Sequence, residues 1–294
     1  MQSEKVKTLT FFSKDKISCP VCGTKFHKEE LRTGGGRLIA GDLTIELRRI
    51  YEPSKTYGPV FPLLYPIQVC PECYYAALPK DFLSPAGDAL QALKDDTDRR
   101  SSSIKVIFED LDFENPRTLK EGVSSYYFAV MCYDHMPKEF SPTIKQAVSS
   151  LRAAWLFSDL HRAFPGDNYD YLSKLFYRKA RFFYTLSVEY EQCGKESVAS
   201  AGVLGPDLDK NYGYEGVLYL AAYLEYSFGP KEEPAARLAA LTTAKRTIAR
   251  IVGMGRASKQ KPSILLENAR DLHTTIGEEV EKFKESTAPE DEDA

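Results

Sequence analysis

Nothing in this sequence is long and apolar enough to lie inside a bilayer. It has no run of about 18 apolar residues, so no membrane-spanning helix is expected. The opening stretch, MQSEKVKTLTFFSKDKIS, carries charges and lacks the apolar centre of a secretory signal, which points to the cytoplasm. Charge of one sign is also lacking. The formal net charge is -3, which gives no global pull toward nucleic acid or membrane. Histidine is scarce: His27, His135, His161 and His273 are scattered, and none sits in a recognisable nucleophile motif. There is no HExxH. The Gly34-Gly35-Gly36 run is not followed by Gly-Lys-Ser/Thr, so it reads as a turn between strands or a plain loop and not as a phosphate cradle. Acidic pairs such as Asp95/Asp96 and Glu109/Asp110 read as solvated surface charges. No catalytic constellation is visible. The chain is expected not to be an enzyme, and nothing marks a small-molecule substrate.

What is present is a pattern of thiols. The six cysteines include two close pairs, Cys19/Cys22 in SCPVCG and Cys70/Cys73 in VCPECYY. In a reducing compartment such pairs are ligands or redox groups, not structural disulfides. Thiolates at i and i+3 on a tight turn can point at one ion, the proline stiffens the turn, and the following backbone N–H groups can donate to the sulfurs. Two such pairs complete a tetrahedral shell of four thiolates, the donor set of a closed structural zinc site. A rubredoxin-like iron site uses the same four ligands. Thioredoxin-type pairs begin a helix after a core strand, and neither pair here is followed by a helical pattern. His27, five residues past Cys22, could replace a thiolate but reads better as a surface histidine beside the knuckle. The expectation is one structural Zn2+ held by Cys19, Cys22, Cys70 and Cys73. A closed shell leaves no position for water or substrate. Cys132 and Cys193 fall in helical patterns and are expected to be buried fillers.

The first third and the remainder are built differently. LIAGDLTIELRRIYEP alternates Leu43, Ile45 and Leu47 against Thr44, Glu46 and Arg48, the period of a half-buried strand. VFPLLYPIQVC alternates similarly, but Pro62 and Pro66 restrict it to an edge or irregular strand. Residues 84–103 read as a short helix and a linker. Helices follow. NPRTLKEGVSSYYFAVMCYDH repeats apolar residues at helical spacing, with Pro116 suited to a first turn. The next helix takes Ser141 as N-cap and Pro142 as first residue, and buries Ile144, Val148, Leu151 and Trp155. A third begins near Asn168 and ends at Gly194. Three more cover about 214–228, 233–253 and 262–285. The fold class expected is α+β, mostly α. A small zinc-ribbon-like β module (1–83) and a linker with a short helix (84–115) precede an antiparallel helical-hairpin, tetratricopeptide-like domain (116–285). An acidic tail (286–294) is expected to be disordered.

The chain resembles an uncharacterised bacterial family of unknown function with an N-terminal double CPxC zinc motif and C-terminal tetratricopeptide-like helices. The residues that carry the likeness are CPVCGTKF at 19–26, Asp42, Tyr51, Tyr65 and VCPECYYAALPKDF ending at Phe82, with part of YLAAYLEYSFG. The resemblance implies metal binding and brings no assigned activity. Tyr74 departs from the glycine such knuckles usually carry, and could twist the second one.

These readings point to a scaffold. Stacked helical hairpins offer a concave surface that usually holds a peptide or helix of another protein. On the helix of about residues 169–190, Lys174, Arg178 and Arg181 share a face that could receive an acidic segment. Most of its aromatics are expected in the core, but any of Tyr169, Tyr171, Tyr177 and Tyr184 that face outward could anchor a partner. The alternative is nucleic-acid binding through a segment free of acids from 234 to 266, carrying Arg237, Lys245, Arg246, Arg250, Arg256, Lys259 and Lys261.

Overall fold

A computed structural model describes residues 9–32, 34–202, 204–254 and 263–287. Three two-stranded antiparallel sheets come first: β1 (Thr10–Ser18) with β2 (Lys25–Leu31), β3 (Ile39–Leu43) with β4 (Arg49–Glu52), and β5 (Gln68–Val69) with β6 (Ala76–Ala77). Eight helices follow among the described residues: α1 (Gly87–Asp95), α2 (Thr97–Lys105), α3 (Leu119–Tyr133), α4 (Pro142–Ala163), α5 (Tyr169–Gln192), α6 (Gly213–Phe228), α7 (Pro234–Met254) and α8 (Ser263–Thr287). The class is α+β, mostly α, as expected. From α3 onward each helix packs against its successor, the connectivity of stacked hairpins. One continuous hydrophobic core runs from Cys19 to Val280.

The LIAGDLTIELRRIYEP stretch is not one strand but a hairpin. The chain reverses at 44–48, where Thr44 N–H donates to Arg48 O (2.8 Å) and Leu47 N–H to Thr44 O (2.9 Å). The alternation at its centre arises because the tip meets two surroundings: Leu47 is fully buried while Ile45 is half exposed. The Pro62 segment is likewise not a strand. It forms a 3-10 turn, Pro62–Leu64, whose fixed proline φ suits a first helical position and which buries both Leu63 and Leu64. Helix α3 comes very close to this turn because residue 122 is glycine; a Cβ there would lie 2.2 Å from Leu64 Cδ2. The Gly34-Gly35-Gly36 run is a turn between β2 and β3.

Over 84–105 two helices run back to back instead of one short helix and a linker, and they bury Leu93, Arg100 and Ile104. Helix α3 starts three residues later than Pro116 suggests, because Thr118 and Glu121 form a capping box that fixes the end. Pro142 is the first residue of α4 and Ser141 its N-cap residue, as expected, but the Ser141 side chain does not cap the helix. Ser141 takes φ +48° and turns its hydroxyl to Ser197 O (2.6 Å). The cap comes from across the chain: Glu196 accepts from Thr143 N–H (2.8 Å) and the Thr143 hydroxyl (2.7 Å). Helix α8 extends to Thr287, into the expected tail; residues 288–294 lie outside the described residues. No described helix is long and apolar enough to cross a membrane.

Candidate metal centre

Each cysteine pair sits at the turn of a hairpin. The first closes β1–β2, with Ser18 opposite Lys25; the second closes β5–β6, with Val69 opposite Ala76. Both turns are built alike. Cys19 N–H donates to Thr24 O (2.9 Å) and Gly23 N–H to Cys19 O (2.9 Å). In the second turn Cys70 N–H donates to Tyr75 O (2.9 Å) and Tyr74 N–H to Cys70 O (3.1 Å). The residue after the second cysteine is left-handed in both: Gly23 at φ +81° and Tyr74 at φ +54°. Tyr74 therefore does not twist its knuckle. It accepts the strained backbone and offsets it by packing, its ring stacked on Phe128 at 4.8 Å between centroids and 4° between planes. The left-handed region costs a bulky residue about 1–2 kcal/mol. A half-buried, stacked tyrosine contributes about 2 kcal/mol in return. Tyr74→Ala keeps the strain and loses the packing, so it should cost about 2 kcal/mol. Tyr74→Gly sheds the strain and should cost about 1 kcal/mol. Urea melts that rank the glycine variant below the alanine variant would contradict this account.

The two turns face each other and bring four sulfurs together. Cys19 Sγ lies 3.6 Å from Cys73 Sγ and Cys22 Sγ 3.5 Å from Cys70 Sγ, and all four lie within 4.8 Å of one another. No disulfide joins them. A metal–sulfur bond of about 2.3 Å in a tetrahedron implies sulfur–sulfur edges of roughly 3.8 Å. The observed cluster fits that frame with all four corners supplied by protein. Three of the cysteines are buried and Cys22 is exposed at one edge, where its sulfur lies 3.3 Å from the Thr24 hydroxyl.

The electrostatics of the cluster call for a cation. Hydrogen bonds from the Cys70 and Cys73 thiols, helped by the backbone N–H groups of Cys22 and Val21, hold Cys19 down to about 4. The same bonds to Cys19 push Cys70 and Cys73 up. Four sulfurs this close cannot all carry charge in each other's company unless an ion offsets it. A positive group is already in place behind the site. Arg100, fully buried, donates to Cys73 O (3.3 Å) and Leu93 O (2.8 Å), and its other partners are Asp96 and Thr97.

His27 stays out of the cluster. It is exposed on β2, with Nδ1 2.7 Å from Ser13 O. Cys132 is the buried filler expected of it: its sulfur accepts Ala76 N–H at 3.4 Å, and burial pushes its thiol up to about 11. Cys193 is not a filler. It falls one residue past the end of α5, off the buried stripe, and is exposed.

The remaining candidate residues are spread over the helical half. Lys174 is exposed and pairs with Asp170 (3.2 Å); Arg178 is exposed; Arg181 pairs with Glu225 on α6 (2.8 Å). Tyr184 is fully buried and Tyr169 nearly so, because α5 has α4 on one side and α6 on the other. Tyr171 is 63% exposed. Tyr177 points inward, stacked on Phe228 at 4.2 Å. On α7, Arg246 and Arg250 are exposed, but Arg237 is buried, held by Glu279 (2.8 Å) and Tyr226 O (2.7 Å). Arg256, Lys259 and Lys261 lie outside the described residues.

Sequence reasoning missed one constellation. The β3–β4 tip inserts into the surface formed by α4, α5 and α6. Its Glu46 carboxylate accepts from Trp155 Nε1–H, the Tyr177 hydroxyl (2.8 Å) and the Tyr223 hydroxyl (3.2 Å). Tyr219 donates to Ile45 O (2.7 Å), and Arg48 pairs with Asp159 (2.5 Å) while covering the Trp155 ring. A polar residue flanked by apolar ones at a strand-like centre was the only available signal, and it named no partner.

Residues 12–276 match the family described as an uncharacterized protein conserved in bacteria, DUF2225. The chain belongs to this family. It is also similar to an uncharacterized protein of Borreliella burgdorferi, 45% identical over 280 residues, covering 95% of this chain and 100% of that one. No solved structure matches. Membership in DUF2225 agrees with the likeness read from the double CPxC motif, and the four cysteines of that motif are the ones the fold gathers.

Proposed function

We propose that this DUF2225 protein is a non-catalytic scaffold. One structural zinc staples its two cysteine hairpins to each other, and an acidic protein segment is received beside the β3–β4 hairpin. The observation that carries the reading is the four-sulfur cluster, in which every tetrahedral corner is a cysteine and none is left for a reacting molecule. The receiving surface is a cleft of about 590 Å³ between the hairpin tip and helices α4 and α5. Ile45 and Ile50 offer exposed apolar surface there. Arg162, Lys174 and nearby Arg178 supply positive charge, and Arg162 shares its one carboxylate, Asp159, with Arg48.

Elemental analysis of the purified protein should return one zinc per chain. A fluorescein-labelled peptide of alternating Glu and Leu should bind, and K174E/R178E should weaken it about tenfold while leaving zinc content unchanged. A protein without metal, or peptide binding indifferent to the double substitution, would remove the corresponding half of the proposal. The exposed pair Arg246 and Arg250, one turn apart on α7, keeps a second reading in play. Binding of a single-stranded oligonucleotide that falls steeply with salt, with no peptide binding, would favour it.

A further inference from the structure

A second cavity, about 540 Å³, lies at the seam between the cysteine hairpins and α4, within the size range of small-molecule sites. Its walls are apolar: Ile67 and Leu78 come from the N-terminal module, Ile144 and Val148 from α4, and Leu208 from the loop after α5. Three cations also reach it. Lys145 is spoken for, paired with buried Asp81 at 2.6 Å, which also accepts the Tyr133 hydroxyl (2.7 Å). The other two make no ion pair among the described residues. Arg152, only 5% exposed, spends its guanidinium on the loop carbonyls of Pro206 (2.7 Å), Gly205 (3.4 Å) and Asp207 (3.5 Å). Lys80, exposed at the mouth, donates to Ala201 O. The Asp207 carboxylate borders the same space but is turned to the backbone, accepting from Arg49 N–H (2.8 Å) and Leu208 N–H (2.6 Å).

The cations Lys80, Lys145 and Arg152 outnumber by one the nearby carboxylates, Asp81 and Asp207, the second of which Arg152 also faces, and the best complement to that remaining positive charge is an anion that enters with it. The walls, however, suit hydrocarbon. A small, strongly hydrated inorganic anion would gain nothing from them, whereas an amphipathic one would bury its body on Ile144 and Val148. Leu208, 45% exposed, leaves the entrance partly open. We propose that this cavity binds an apolar carboxylate: a hydrocarbon body seated between α4 and the cysteine module, with its anionic head held between Lys80 and Arg152.

Calorimetric titration of the full metal-loaded chain with decanoate, kept below its micelle concentration, tests this. Decanoate should bind one to one, and decanol at least about tenfold more weakly, since it loses the charge-assisted contacts. Val148→Trp, which fills the cavity, should abolish binding. Lys80→Gln should weaken it about tenfold. Because Lys80 is exposed, that variant decides the matter even if Val148→Trp does not fold. Equal affinity for decanoate and decanol, or decanoate binding untouched by Lys80→Gln, would overturn the proposal. Binding only to decanoate-doped vesicles and not to the monomer would overturn it too. None of these readings depends on which metal the cysteines hold or on the peptide cleft.

Discussion

On the proposed reading, replacing Cys70 by serine should release the metal and unfold the two cysteine hairpins, because the energy at stake exceeds what the rest of the module supplies. Structural zinc sites contribute about 10–16 kcal/mol of apparent binding energy, all of it coupled to folding. A whole domain is typically stable by about 5–15 kcal/mol. The hairpins themselves are short: β5 and β6 have two residues each, and such ribbons are marginal alone. The damage should not stop at the module. Ala76 N–H donates to Cys132 Sγ, Leu78 N–H donates to the Tyr133 hydroxyl (3.0 Å), and Tyr74 stacks on Phe128, so the second knuckle is packed into α3. Helix α3 should therefore loosen, while α4 to α8 keep their mutual packing. Elemental analysis should show metal lost, and limited proteolysis should cut first between residues 9 and about 117, leaving a helical core. A variant that keeps its hairpins protease-resistant without metal would refute the stapling role.

Glu46→Ala should be the second most damaging change. It removes one carboxylate and leaves three donors, from Trp155, Tyr177 and Tyr223, without their acceptor. Burial first, and then the Glu46 carboxylate, push the phenols of Tyr177 and Tyr223 up, which marks how closely they face that charge. Hydrogen bonds to a charged group are worth about 1.5–3 kcal/mol each, discounted here because Glu46 is only half-buried, so the expected loss is about 3 kcal/mol. Glu46→Gln retains an acceptor oxygen and should lose less than half of that. Chemical denaturation of the two variants beside the parent decides it, and equal losses would show that charge and acceptor geometry are not what hold the hairpin.

The parts of this molecule written in local spacing were legible before the structure, and those written across distance were not. Cysteines at i and i+3 announce a knuckle, and the fold brings the two knuckles together. Apolar residues at helical spacing announced α3 to α8, and Gly194 ends α5 in the left-handed conformation expected of it. The β1–β2 hairpin was invisible because its strands bury few side chains and so show no clean alternation. The side chain that caps α4 was out of reach for another reason. The acceptor, Glu196, lies 53 residues away from Thr143. Tyr177 and Tyr184 could not be sorted into core and surface, because only packing by both neighbouring helices decides which way a broad aromatic stripe turns. Arg237 looked like part of a basic patch until its partner, Glu279, arrived from α8.

The hairpin tip in the helical groove has a consequence for any outside protein. Glu46 is attached to the groove it fills, so it acts as a tethered competitor. A segment joined through a short linker meets its site at an effective concentration in the millimolar range. A free peptide offering the same carboxylate would have to outbid that local excess. Evolution of a new ligand for these helices would thus run more easily along the hairpin's flank than beneath its tip.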